Sequence, residues 1–175
     1  KSPLGVEGLV PGWGALSADG NTLYSINLMS SSITWIDPHQ WRVRKVVQLP
    51  LGSSPLSATL TPDGSQLWVA DFGTNDITIL NAHTGTILKT IRTPNAPAYV
   101  GFSTDGKTAY VSDMGASTHL PNEAGILKSD IAFVSGLAFL STLGLPGYLN
   151  TYNVASATLT GSTPVGDAPI AGIYP

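Results

Sequence analysis

Cysteine is absent from the 175 residues, which removes disulfide frameworks and thiolate zinc sites from consideration. Charge is also scarce. Asp, Glu, Lys and Arg together make up 11% of the chain, against about 25% in an ordinary globular domain. Only 8 residues are Lys or Arg and the formal net charge is −3, so nothing here attracts nucleic acid. The nearest thing to a basic group is Arg42, Arg44 and Lys45, in an expected strand. By contrast, 19 glycines and 13 prolines call for many turns, and 42% hydrophobic residues suffice for the core of one domain. Low charge with abundant Ser, Thr and Gly gives the expectation of an extracellular, cell-surface or periplasmic protein.

One phrase occurs three times. SADGNTLYSIN (Ser17 to Asn27), TPDGSQLWVAD (Thr61 to Asp71) and STDGKTAYVSD (Ser103 to Asp113) align on Asp19-Gly20, Asp63-Gly64 and Asp105-Gly106, spaced by 44 and 42 residues. Asp-Gly marks a tight turn, because glycine reaches positive φ without a Cβ penalty and the Asp side chain bonds its own backbone. These six residues are therefore read as structural turns. Each turn leads into a short apolar run with a matched aromatic (Tyr24, Trp68, Tyr110), which reads as a strand.

The echo extends on both sides. SSITWID (Ser31 to Asp37) matches NDITILN (Asn75 to Asn81), and WRVRKVVQL matches GTILKTIRT as a fourth strand. SPLSATLT (Ser54 to Thr61) and APAYVGFS (Ala96 to Ser103) precede their turns as further strands. Four short strands in about 42 residues make one blade of a β-propeller, and blades stack because one alone cannot cover both of its faces. An ordinary β-sandwich with coincidental Asp-Gly hairpins is the rival; two matching spacings disfavour it.

TPDGSQLWVAD, NDITILN and TIRTPNAP, with VGDAP (Val165 to Pro169) repeating the last, resemble the YVTN-type β-propeller repeats of surface-layer and exported proteins. The resemblance implies an all-β fold of four-stranded antiparallel blades. The family's Asn is Asn27 in the first unit, but Asp71 and Asp113 follow in the next two.

The expected organisation is a single partial propeller over 1–175, with units about 12–53, 54–95 and 96–167 and the start of another at 168–175. A closed ring takes four to eight blades, so the ring in this chain is incomplete. The chain starts at Lys1 rather than Met and stops where another turn is due. It is read as processed, trimmed or a fragment, its ring completed by blades from another chain, another copy or the rest of one precursor. The third unit carries an insertion at about 115–146, GASTHLPNEAGILKSDIAFVSGLAFLSTLGLP, which leaves beside Asp113. A partner-binding or lid element, or a hairpin or helix packed on the propeller, are its two main readings. Membrane contact is disfavoured, since the uncharged stretch Ile131 to Leu145 falls short of a span.

Chemistry-bearing residues are few. His39 and His83 occupy equivalent turns of successive units, whose outer rims diverge. Asn27, Asp71 and Asp113 each end a second strand, as candidate rim or ligand-facing groups. Carboxylates on a shared rim can hold a hard cation, so Asp71 and Asp113, with His119 in the insertion, are the metal candidates. The alternative is that each side chain caps the turn that follows it. Trp13, Trp35, Trp41 and Trp68 are expected on strands, packing blade against blade. No nucleophile elbow, P-loop or dinucleotide fingerprint occurs, so neither catalytic residues nor a cofactor are assigned. The expected function is a non-catalytic scaffold or binding module. The alternative is a fragment of a propeller-type redox enzyme with its cofactor ligands mostly elsewhere.

Overall fold

The computed structural model describes residues 8–115 and 146–167. Among the described residues there is no helix, and hence none long and apolar enough to cross a membrane. Twelve strands form three four-stranded antiparallel sheets. Blade 1 holds β1 (Pro11–Leu16), β2 (Leu23–Asn27), β3 (Ser32–Asp37) and β4 (Arg42–Gln48). Blade 2 holds β5 (Pro55–Leu60), β6 (Gln66–Asp71), β7 (Asp76–Asn81) and β8 (Ile87–Arg92). Blade 3 holds β9 (Pro97–Phe102), β10 (Thr108–Asp113), β11 (Pro146–Asn153) and β12 (Thr158–Asp167). Strands pair in chain order within each sheet, as propeller blades do, and among the described residues the ring is not closed.

The three Asp-Gly turns repeat one polar network. The Asp carboxylate accepts from a hydroxyl two residues earlier, Ser17 at 2.6 Å, Thr61 at 2.6 Å and Ser103 at 2.7 Å. It also accepts the backbone N–H two residues later, of Asn21, Ser65 and Lys107. The same hydroxyl accepts the N–H five residues later, at or just before the start of the next strand, from Thr22, Gln66 and Thr108. Gly20, Gly64 and Gly106 sit at φ 71°, 70° and 67°, where a Cβ would be strained. Hydrogen bonds to the charged form hold Asp19 down at about 2 and lower Asp63 and Asp105.

Blades pack through alternating faces, as the two-residue period of a strand dictates. Blade 1 turns Tyr24, Ile26, Ile33 and Trp35 toward Ala58, Leu67, Val69 and Leu80 of blade 2. Blade 2 turns Trp68, Ala70, Ile77, Ile79 and Ile91 toward Val100, Phe102, Ala109, Val111 and Tyr152 of blade 3. Polar pins join the blades at different radii. Between blades 1 and 2 three lie outward, where Trp35 Nε1 and Tyr24 Oη both donate to Ala82 O and Lys45 Nζ to His83 O, and one lies beside the start of β5, where Ser54 N–H donates to Ser31 Oγ. Between blades 2 and 3 two lie on the innermost strands, where Ser57 Oγ donates to Ala98 O and Thr59 Oγ1 to Val100 O. Lys89, equivalent to Lys45, donates to Ser156 O.

Trp41 departs from expectation. It lies in the β3–β4 turn rather than on a strand, is 79% exposed, and has φ 48°. The fourth strand starts one residue later than the sequence pattern suggests, and the equivalent residues, Gly85 and Ala157, share the left-handed backbone.

Candidate functional site

Asn27, Asp71 and Asp113 close the second strand of each blade, and the register pairs them with Pro11, Pro55 and Pro97, the first residues of the inner strands. A bulge follows each proline in the three ladders, re-aiming the strand at this end. None of the three side chains reaches solvent: Asn27 and Asp71 are 1% exposed and Asp113 is 0% exposed. Each hydrogen-bonds to the third strand of the same blade. Asn27 Nδ2 donates to Thr34 Oγ1 at 2.9 Å and Ser32 Oγ at 3.2 Å, while its Oδ1 accepts from Ser25 Oγ. Thr78 Oγ1 donates to Asp71 Oδ2, and Asn150 Nδ2 donates to Asp113 Oδ2 at 2.6 Å. Thr34, Thr78 and Asn150 occupy one register position, opposite Ser25, Val69 and Val111.

The three sites differ in one respect. Asn27 has partners for both ends of its amide, whereas Asp71 Oδ1 and Asp113 Oδ1 are buried without a hydrogen-bond partner, as are Asn150 Oδ1 and Tyr152 Oη. Burial pushes the Asp113 carboxyl up to about 7, against the opposing pull of the Asn95 backbone N–H and the Asn150 amide. Burial also carries Asp71 well above the usual carboxylate range, opposed by Thr78 and reinforced by the like charge of Asp76. Tyr152 is raised by burial and then by the Asp113 charge.

A pH dependence follows with a definite sign. An unfolded Asp releases its proton near 4, whereas folded Asp113 keeps it to about 7. Between those values the folded state binds more protons, so stability falls as pH rises from about 4 to about 7 and is level above. Asp71 acts in the same direction. The turn aspartates act oppositely, losing their contribution as pH falls below about 4 toward their lowered values. Thermal unfolding from pH 4 to 8 is expected to show a melting temperature that declines toward neutrality. Asp113→Asn, which copies the first blade's amide and can donate to Asn150 Oδ1, flattens that decline. An unchanged slope in this variant would show that Asp113 is not its source.

Directly after the polar residue each blade places an apolar one: Leu28, Phe72 and Met114 are 8%, 1% and 2% exposed. With Ala96 and Ala98 they form a cluster drawn from all three blades, flanked by Met29 and Leu56. Sequence reasoning passed over these residues, although they keep the 44- and 42-residue offsets. Thr34 and Thr78 were also findable by offset; Asn150 was not, because the insertion breaks the count.

The other candidates are placed as follows. His39 and His83 are exposed in equivalent turns, with a His39 ring nitrogen 3.2 Å from Asn21 Oδ1. Trp13 is 39% exposed and meets Tyr99 edge-on at 5.7 Å, bridging the inner strands of blades 1 and 3. Among the described residues no three His, Asp or Glu side chains come together as a metal-binding group. His119 and residues 116–145 of the insertion lie outside the described residues.

No protein-family model and no curated protein matches the sequence. Solved structures do match in fold. Hydrazine synthase of Kuenenia stuttgartiensis aligns with a TM-score of 0.69 at 20% identity, over 97% of this chain and 41% of that one. A candidate 6-phosphogluconolactonase from Bacteroides uniformis aligns with a TM-score of 0.64 at 17% identity, over 93% and 44%. Dihydro-heme d1 dehydrogenase NirN, in complex with DHE, aligns with a TM-score of 0.60 at 17% identity, over 86% and 27%. The chain thus spans less than half the length of each of these proteins. At such identities the likeness is one of fold, and the fold is the β-propeller.

Proposed function

We propose that this chain supplies three blades of a larger propeller of YVTN-repeat type, which scaffolds or binds partners at the cell surface, outside the cell or in the periplasm. One observation carries the reading: three complete blades stack 1-2-3, and only the middle one packs strands of another blade on both faces among the described residues. The side chains at the second-strand ends are buried and each bonds to the third strand of its own blade, which favours a structural use over catalysis. Further blades, from the rest of the same precursor, another copy or another chain, complete the ring and present its loops.

Light scattering on the isolated chain, with metal analysis of the same sample, tests this. A mass that is a multiple of 18.2 kDa, or a sum with a second polypeptide, is expected. A mass near 18.2 kDa with cooperative unfolding would overturn completion by a partner. A stoichiometric transition metal would overturn the non-catalytic reading in favour of a redox one.

A further inference from the structure

Arg42, Arg44 and Lys45 are three of the chain's eight basic residues, and all three lie on β4, the outermost strand of blade 1. Two are already committed. Lys45 Nζ donates to His83 O and stands 4.6 Å over the Trp35 ring, and Arg44 pairs with Asp37 at 2.7 Å. Arg42 is exposed and has no ion pair among the described residues. It is bracketed by Trp41, 79% exposed, and Val43, 52% exposed. Trp41 holds a left-handed backbone that suits the equivalent Gly85 far better. The bulky ring therefore gains neither packing nor conformational ease where it stands.

Among the described residues β4 ends its sheet, so its outer side offers backbone donors and acceptors that no described strand pairs. The corresponding strands do not combine the same features. β8 exposes Ile87 and Leu88 but follows Gly85, and β12 carries no Lys or Arg. Cations on an edge deter pairing with copies of itself, because Arg42 and Arg44 would meet their own kind. A partner strand of opposite charge escapes that penalty.

We propose that Trp41 and the adjoining Arg42 to Arg44 start of β4 form a docking edge for an extended acidic peptide. The peptide adds to blade 1 as a fifth strand, pairing its backbone with β4. An acidic side chain meets Arg42, and a neighbouring apolar one rests on Trp41 and Val43. Backbone pairing supplies affinity, and the side-chain alternation supplies selection.

The test is fluorescence anisotropy of a labelled eight-residue peptide of alternating Glu and Val, titrated with the 175-residue chain. Saturable binding that weakens with added salt is expected. Arg42→Glu should weaken it by about tenfold or more, and Trp41→Gly should weaken it without loss of fold, checked by thermal unfolding. An alternating Lys and Val peptide should not bind. Absence of saturable binding, equal binding by both variants, or equal binding of the Lys peptide would each overturn the proposal.

Discussion

Trp68→Ala is expected to cost about 3–5 kcal/mol of stability, lowering the melting temperature by roughly 6–20 °C in a domain of this size. Trp68 is fully buried, at 0% exposure, in the seam between blades 2 and 3. Its ring meets Phe102 of blade 3 edge-on at 5.5 Å, and its Nε1 donates to Gln66 Oε1 at 2.9 Å. Truncation removes the largest side chain of that cluster, leaves a cavity between two sheets that each hold their own ladder, and strips Gln66 of a partner. The sheets cannot collapse onto the void without breaking the inner pins from Ser57 and Thr59. A double-mutant cycle with Phe102→Ala should return a coupling of about 0.5–1.5 kcal/mol for the edge-on pair. Denaturant unfolding measures both quantities. A loss below about 1 kcal/mol would mean that this seam is not packed as described.

Gly73→Ala is expected to cost about 1–3 kcal/mol through overpacking alone. Gly73 lies two residues beyond Asp71 in the β6–β7 turn, tucked under the β4–β5 connection, where its N–H donates to Ser53 O. A Cβ there would stand 2.2 Å from Gly52 O and 3.2 Å from Ser53 O. Both are backbone atoms, so relief requires moving the link between blades 1 and 2 rather than turning a rotamer. The equivalent Gly115 is crowded by the third strand of its own blade, its Cβ falling 2.1 Å from Pro146 O, and also holds φ 80°. Gly12→Ala is the control, since nothing lies within 4 Å of its Cβ, and its effect should be several-fold smaller. Equal destabilisation by the two substitutions would show that crowding against Gly52 and Ser53 is not the cause, since the entropy change of Gly→Ala itself favours the folded state.

Much of this architecture was legible because it is written in local chemistry. The Asp-Gly turns carry their own hydrogen bonds, and the runs after them alternate as strands do. Strand order, blade number and the second-strand ends at Asn27, Asp71 and Asp113 followed from counting offsets. Burial of those three ends did not follow. Whether a carboxylate at the end of a strand meets water depends on what the neighbouring chain segments cover, as Gly8 does at Asn27, and no residue type announces that. Trp41 misled for a related reason. An aromatic before alternating Arg and Val reads as the first residue of a strand, but the turn closes one residue later through a left-handed residue. The β4 edge illustrates the converse: its basic residues were conspicuous in sequence, yet only the exposure of Arg42, against the commitments of Arg44 and Lys45, separated their uses.

The blade-to-blade pins differ in kind as well as in radius. Blade 1 carries Trp13 and Ala15 where blade 2 carries Ser57 and Thr59, so its inner strand has no equivalent hydroxyls to hold β5. Its polar ties to blade 2 through Tyr24, Trp35 and Lys45 lie toward the outside. The inner end of blade 1 is held instead by Ser31 Oγ, which accepts the Ser54 N–H beside β5, by Leu28 against Phe72, and by the Trp13 ring against Tyr99, so apolar and aromatic contact does on this side much of what hydroxyls do between blades 2 and 3.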